Sequence, residues 1–143
     1  MSTFCWPARV YWEDTDGGGV VYYANYLRFM ERARTEWLRS QGIWQRKLEG
    51  DAGIIFTVVD LQVRYRLPAR LDDLLCISCE PTRDGGATIA FGQRIWRERV
   101  DGELLLQGSA RAACLDAATL RPRRLPPIVV GVLPPTDQGS CKE

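Results

Sequence analysis

The sequence predicts an α+β domain of two layers, one long helix laid against an antiparallel sheet. Three observations predict it. Leu27, Met30, Ala33, Arg34, Trp37 and Leu38 recur at spacings of three and four, an apolar stripe to which Arg34 lends its stem. Ile55, Thr57, Val59, Leu61, Val63, Tyr65 and Leu67 alternate with Asp60, Gln62, Arg64 and Arg66, the period of a strand with one buried face. Asp84-Gly85-Gly86 and Asp101-Gly102 read as tight turns between further strands.

In chain order, a first strand is expected over about Phe4 to Glu13, then a turn-rich loop, Asp14-Thr15-Asp16-Gly17-Gly18-Gly19. Three successive glycines disfavour both helix and strand. Asn25 suits the helix N-cap and Gly42 its stop. Strands follow at about Ile55 to Leu67, Leu74 to Thr82, Ala87 to Arg99 and Glu103 to Leu115, with Pro68 to Asp73 as a connection. On the last strand Leu104, Leu106, Ala110, Ala112 and Cys114 share a face. Ile54, Phe56 and Val58 fall on the face opposite the 55–67 set, and self-association is expected to cover apolar surface that one helix leaves bare. Little regular structure is expected from Arg121 onward. A single domain is placed at 1–133 and a disordered tail at 134–143.

The chain of 143 residues suits one domain with a real core. Its net charge of +1 gives no strong field toward nucleic acid or an anionic membrane. No run approaches the roughly 20 apolar residues that span a bilayer, and Met1 to Arg9 lacks the pattern of a signal peptide, so a cytoplasmic location is expected. The five cysteines are then expected as reduced thiols. Cys76 and Cys79 form a C-x-x-C, but on a strand they point to opposite faces and no second ligand pair accompanies them. No metal and no cofactor are expected. The chain has no histidine, which excludes Ser-His-Asp, Cys-His and histidine-base chemistry from this polypeptide. Acid–base work falls to Asp, Glu, Tyr, Lys or Cys.

The run from Arg9 to Tyr26 sets acidic side chains at a glycine loop that leads into a helix. A helix N-terminus offers unpaired N–H groups and partial positive charge, where a developing oxyanion can be held. A carboxylate beside it serves as base or nucleophile. Asp16 lies near the apex, and Gly17 and Gly18 leave room for a substrate. An Asp in such a loop also commonly caps a turn, so on residues alone both roles stand open. A phosphate loop fits poorly, since the Lys-Ser/Thr ending is absent and acidic groups crowd the turn.

Asp14-Thr15-Asp16-Gly17-Gly18-Gly19-Val20-Val21-Tyr22-Tyr23-Ala24-Asn25-Tyr26 resembles the signature of the 4-hydroxybenzoyl-CoA thioesterase family. The likeness continues through Glu31-Arg32-Ala33-Arg34-Thr35-Glu36, Val63-Arg64-Tyr65 and Pro68 to Asp73, over about residues 4 to 127. Within the family it is similar to the YbgC-like branch associated with the Tol-Pal envelope system. The resemblance implies a hotdog fold, a long helix on a five-stranded antiparallel sheet. It also implies homodimers pairing into homotetramers, an active site at the dimer interface, and hydrolysis of an acyl-CoA, or of an acyl group on a carrier protein. By motif position Asp16 matches the catalytic carboxylate, and the Tyr23 backbone N–H matches the donor that polarises the thioester carbonyl. Gly19, Val20, Tyr22, Asn25, Thr88, Arg64 and Arg83 are the expected substrate contacts. Arg66, Arg94, Arg97, Arg123 and Arg124 are further surface candidates for the phosphates of CoA.

One position departs from the pattern. Many YbgC-like members carry His at this position, whereas this chain has Tyr23, as in some thioesterases acting on aromatic acyl groups. A backbone donor survives that change, while any role of an imidazole does not. A hotdog dehydratase needs a His and is disfavoured. A non-catalytic binder of acyl-CoA or acyl carrier protein is the alternative reading. The acyl group and the nucleophilic or general-base role of Asp16 are not fixed by sequence.

Overall fold

The computed structural model describes residues 3–134. The elements are β1 (Cys5–Arg9), α1 (Tyr26–Ser40), α2 (Gln45–Ala52), β2 (Ile54–Tyr65), β3 (Leu74–Ser78), β4 (Glu80–Arg83), β5 (Thr88–Arg97), β6 (Glu103–Asp116) and α3 (Pro127–Val130). Two 3-10 turns, Trp12–Asp14 and Tyr23–Asn25, flank the glycine loop. The sheet is antiparallel in the order β1-β3-β5-β6-β2, with β4 also on β5.

The expected Leu74–Thr82 strand is interrupted at Cys79. Ile77 faces Ile95 and Glu80 faces Gly92, so β3 and β4 keep one register against β5 and share one position in the sheet. The six strands therefore fill five places.

Residues Tyr26, Phe29, Met30, Ala33, Trp37 and Leu38 of α1 are buried against the sheet. Gln93, on central strand β5, fastens the two layers. Its amide donates to the carbonyls of Met30 (3.0 Å) and Ser78 (3.2 Å), and its oxygen accepts from Arg34 (2.9 Å). Gln93 is buried, so these bonds satisfy a polar group that would otherwise be costly there. Burial lowers the pKa of the Arg34 guanidinium, with Glu31 acting in the opposite direction.

The alternation in β2 is corrected by a bulge. Val58 faces Ala112 and Asp60 faces Arg111, which leaves Val59 unpaired in the ladder. The extra residue flips the parity of the strand. Phe56, Val58, Leu61, Val63 and Tyr65 consequently lie opposite Cys114, Ala112, Ala110, Gly108 and Leu106 on the helix side. Ile54, Phe56 and Val58 therefore share one face with Leu61, Val63 and Tyr65, while Ile55 and Thr57 stay on the other. A second irregularity, between Ile95 and Trp96, buries Leu105 beside Leu106 and leaves Leu104 only partly covered.

Other expectations are corrected as well. β1 ends at Arg9, because the chain turns at Trp12–Asp14 and the Tyr11 N–H goes to the Asp14 carboxylate. Asn25 is itself helical in conformation and makes no side-chain cap. Helix α2 lay unseen in a polar stretch that buries one residue, Leu48, and stops at left-handed Gly53. Helix α3 forms where irregular chain was expected, since Pro127 fits a first helical turn and Val129 and Leu133 enter the core. The tail expectation falls, beyond Pro134, outside the described residues.

Cys5 on β1 and Cys76 on β3 are neighbours across the sheet, with Cα atoms 5.7 Å apart and their sulfurs side by side. Cys79 and Cys114 are free and buried. Burial pushes the Cys79 thiol up to about 12. Cys79 joins the core cluster of Trp37 and Leu38, away from Cys76. Among the described residues no group of three His, Cys, Asp or Glu side chains forms a metal site, and no helix is long and apolar enough to cross a membrane.

Candidate active site

The glycine loop closes on itself. Asp16 N–H donates to the Val20 carbonyl (3.0 Å), Thr15 and Val21 form an antiparallel bridge, and Gly17 and Gly19 take φ of 90° and 91° at the tip. Those angles suit glycine, which explains the outer two of the three. The loop is then laced to the segment after β2. Val21 N–H meets the Ala69 carbonyl (2.9 Å), Leu71 N–H meets the Gly19 carbonyl (3.0 Å), and Val20 bridges Arg70.

The two aspartates of the signature have different duties. Asp14 is buried; its carboxylate accepts from Tyr11 N–H (2.8 Å) and Asn25 Nδ2 (2.9 Å), and its carbonyl accepts from Tyr22 N–H (3.0 Å). It ties the end of the first strand to the start of the helix. Asp16 is exposed, and one of its oxygens, Oδ1, accepts from Gly18 N–H at 2.7 Å. That bond fixes the rotamer and leaves Oδ2 for a reacting partner. A Cβ added at Gly18 would stand 3.2 Å from Asp16 Oδ1, so the carboxylate uses space that glycine leaves.

Tyr23 opens the 3-10 turn that runs into α1. Its N–H donates to no acceptor among the described residues, as expected for the first residue of a helix. The Tyr23 carbonyl accepts from Tyr65 Oη at 2.7 Å. Tyr22 and Tyr23 are exposed and their rings lie 4.8 Å apart.

The structure brings Asp16, Gly19, Val20, Tyr22, Tyr23 and Asn25 into one segment. The Asn25 side chain is already taken by Asp14. Arg64 pairs across the ladder with Gln107, which pairs with Arg94, on the face away from α1. There it lines a hollow of about 410 Å3, together with Gln62, Glu80, Arg94, Gln107 and Ser109. Thr88 faces Ala113 and Ala113 faces Thr57, eight residues along β2 from Tyr65. At the rise of an antiparallel strand that is ~27 Å. Thr88 and Arg83 thus lie at the far end of the sheet from Tyr65 and the start of α1. Several of the other arginines are spoken for. Arg97 pairs with Asp73 and Glu103, Arg123 with Asp116, and Arg66 with Gln107. Sequence reasoning missed the Asp14–Asn25 contact and Tyr65, whose partners lie 11 and 42 residues away.

The sequence profile described as the thioesterase superfamily matches residues 18–102. The chain belongs to the thioesterase superfamily. It is 44% identical over 127 residues to the acyl-CoA thioester hydrolase YbgC of Escherichia coli O6:H1, covering 89% of this chain and 92% of that protein. It is 43% identical over 123 residues to the acyl-CoA thioesterase YbgC of Haemophilus influenzae, covering 86% and 88%. Among solved structures, a probable thioesterase from Bartonella henselae superposes with a TM-score of 0.80 at 35% identity, over 87% of this chain and 100% of that one. The YbgC-like resemblance read from the Asp14–Tyr26 run is borne out, as is the α+β hotdog fold, a sheet wrapped on one long helix. Nothing in these likenesses supports a non-catalytic binding module. In this thioesterase the exposed carboxylate of Asp16 and the unpaired N–H of Tyr23 sit at the two ends of a short turn that backbone hydrogen bonds lace to Ala69–Leu71.

Proposed function

We propose that this chain hydrolyses the thioester of an acyl-CoA, releasing the free acid and CoA, with Asp16 as the reacting carboxylate. The observation that carries the reading is a held but exposed Asp16 in the same laced loop as the unpaired Tyr23 N–H, which opens the turn into α1, in a chain of the thioesterase superfamily. The thioester oxygen lies against the Tyr23 N–H. Asp16 either attacks the carbonyl carbon, giving an anhydride that water then cleaves, or takes a proton from the attacking water. In both routes the C–S bond breaks and the sulfur leaves as the CoA thiolate. The N–H and the helix terminus hold the oxyanion, and losing one such donor costs roughly 3–4 kcal/mol of barrier.

A homodimer completes the reading. Edge strand β2 has one neighbour, and Val58, Val59 and Leu61 on it are 44%, 54% and 38% exposed. Antiparallel pairing of two β2 strands about a two-fold axis near their middle covers that edge. It also sets the Thr88 end of one copy against the Tyr65 end of the other, where Thr88 and Arg83 reach a bound substrate. Pairing of such dimers into a tetramer, a cytoplasmic location, and a choice between CoA and acyl carrier protein belong to the same proposal.

The test is thiol release from a panel of acyl-CoAs of varied length and aromaticity, with Asp16→Ala and Asp16→Asn beside wild type. Release by wild type and its loss in both variants supports the reading. Turnover near wild type in Asp16→Asn overturns it.

A further inference from the structure

Tyr65 ends β2, the edge strand, and its phenol reaches the start of α1. Its Oη donates to the Tyr23 carbonyl at 2.7 Å. Its ring stands edge-on to Tyr26, centroids 5.5 Å apart at 65°. Tyr26 is buried and its own Oη accepts from Ala69 N–H at 3.0 Å, so the ring that Tyr65 leans on is fixed. Burial, then the neighbouring Tyr26 and Tyr23 phenols, raise the Tyr65 pKa, which keeps the hydroxyl a donor through neutral pH.

The accepting carbonyl belongs to the peptide that links Tyr23 to Ala24. A hydrogen bond there holds the plane of that peptide and so restrains the ψ of Tyr23, whose own N–H belongs to the adjoining Tyr22–Tyr23 peptide. It also polarises the peptide, which strengthens the donor on its far side, the Ala24 N–H. Oxyanion stabilisation depends on donors held in place before the charge develops. We propose that Tyr65 is a positioning residue for thioester hydrolysis, holding the Tyr23–Ala24 peptide of the turn that leads into α1 and so restraining Tyr23, whose N–H is the proposed oxyanion donor. This rests on the reading of Asp16 and Tyr23 given above. It assigns a role to a residue 42 positions from the one it orders.

The experiment compares wild type, Tyr65→Phe and Asp16→Asn by steady-state thiol release and by thermal melting. Phe keeps the ring on Tyr26 and removes only the hydroxyl. The expected result for Tyr65→Phe is a kcat lowered about 2- to 10-fold, the range of one neutral hydrogen bond, at a KM within about twofold and an almost unchanged melting temperature. A merely structural role would lower the melting temperature and leave kcat per folded protomer intact. If Tyr65→Phe is destabilised, kcat is therefore read per folded protomer below both transitions. Unchanged kcat, or a raised KM with unchanged kcat, overturns the inference. With Asp16→Asn inactive, a wild-type kcat in Tyr65→Phe removes the Tyr65 inference alone. An active Asp16→Asn removes the site reading and this inference with it.

Discussion

Asn25 Nδ2 donates to Asp14 Oδ1 over 2.9 Å, with both side chains buried, so the residue that looks like a helix cap instead receives the first aspartate of the signature. The other Asp14 oxygen is held by Tyr11 N–H. The loop bearing Asp16 is therefore pinned at its base by the buried aspartate, while the exposed one stays free to react. Removing the Asn25 amide leaves a buried carboxyl short of a donor, at a cost of about 1–3 kcal/mol. Asn25→Ala is expected to lower the urea midpoint accordingly and to reduce kcat, because the loop loses its tie to the helix. An unfolding curve identical to wild type would show that the contact carries no stability.

Gly18 tests the geometry of Asp16 without touching its charge. Its φ is not left-handed, so alanine is acceptable to the backbone, but the new Cβ would press on Asp16 Oδ1 at 3.2 Å. Gly18→Ala is expected to lower kcat several-fold, about 1 kcal/mol of barrier, and to leave the melting temperature near that of wild type. Full activity would mean that the carboxylate is not held by its bond to Gly18.

Gly108 of β6 faces Val63 of the edge strand at a point with no room for a side chain. A Cβ there would come 2.3 Å from the Gln62 carbonyl oxygen and 3.2 Å from Val63 Cα. Both are backbone, which cannot swing aside, so β2 itself must shift. Gly108→Ala is expected to destabilise by about 1–3 kcal/mol and to weaken self-association in sedimentation, since β2 is the proposed contact strand. A stable, normally associating variant would place the contact elsewhere.

The Cys79 thiol gives a pH signature. Burial raises its pKa in the folded protein from 9.0 to about 12. The folded state therefore holds a proton that the unfolded state releases above pH 9. The stabilisation is complete below about pH 9 and is lost as pH climbs toward 12, at a slope on the order of 1 kcal/mol per pH unit. Denaturant melts between pH 8 and 11 should show this slope reduced in Cys79→Ala. At neutral pH, Cys79 should resist alkylation until the protein is unfolded.

Much of the fold was legible because it is written in local periods. The α1 stripe, the turns at Asp84-Gly85-Gly86 and Asp101-Gly102, and the glycine loop each depend on neighbouring residues, whose spacing states the backbone they want. The chemistry was legible for a different reason. The absence of histidine left carboxylates as the natural candidates, and the Asp14–Tyr26 run carried the family resemblance onto Asp16 and the Tyr23 N–H.

What the tertiary structure decided are the matters in which distant residues compete for one another. The bulge at Val59 brings Leu61, Val63 and Tyr65 onto the face of Phe56 and Val58, because register is set by the partner strand β6 and not by alternation alone. Asn25 leaves the cap for Asp14 because a buried carboxyl has more to gain from its amide than an exposed helix end. Helix α3 forms because Val129 finds a core to enter. The phenol of Tyr65 meets Tyr23 only once β2 lies beside α1. A sequence lists donors, acceptors and apolar groups one after another. Which of them pair across 40 or 60 residues follows from close packing, which satisfies every buried polar group at once.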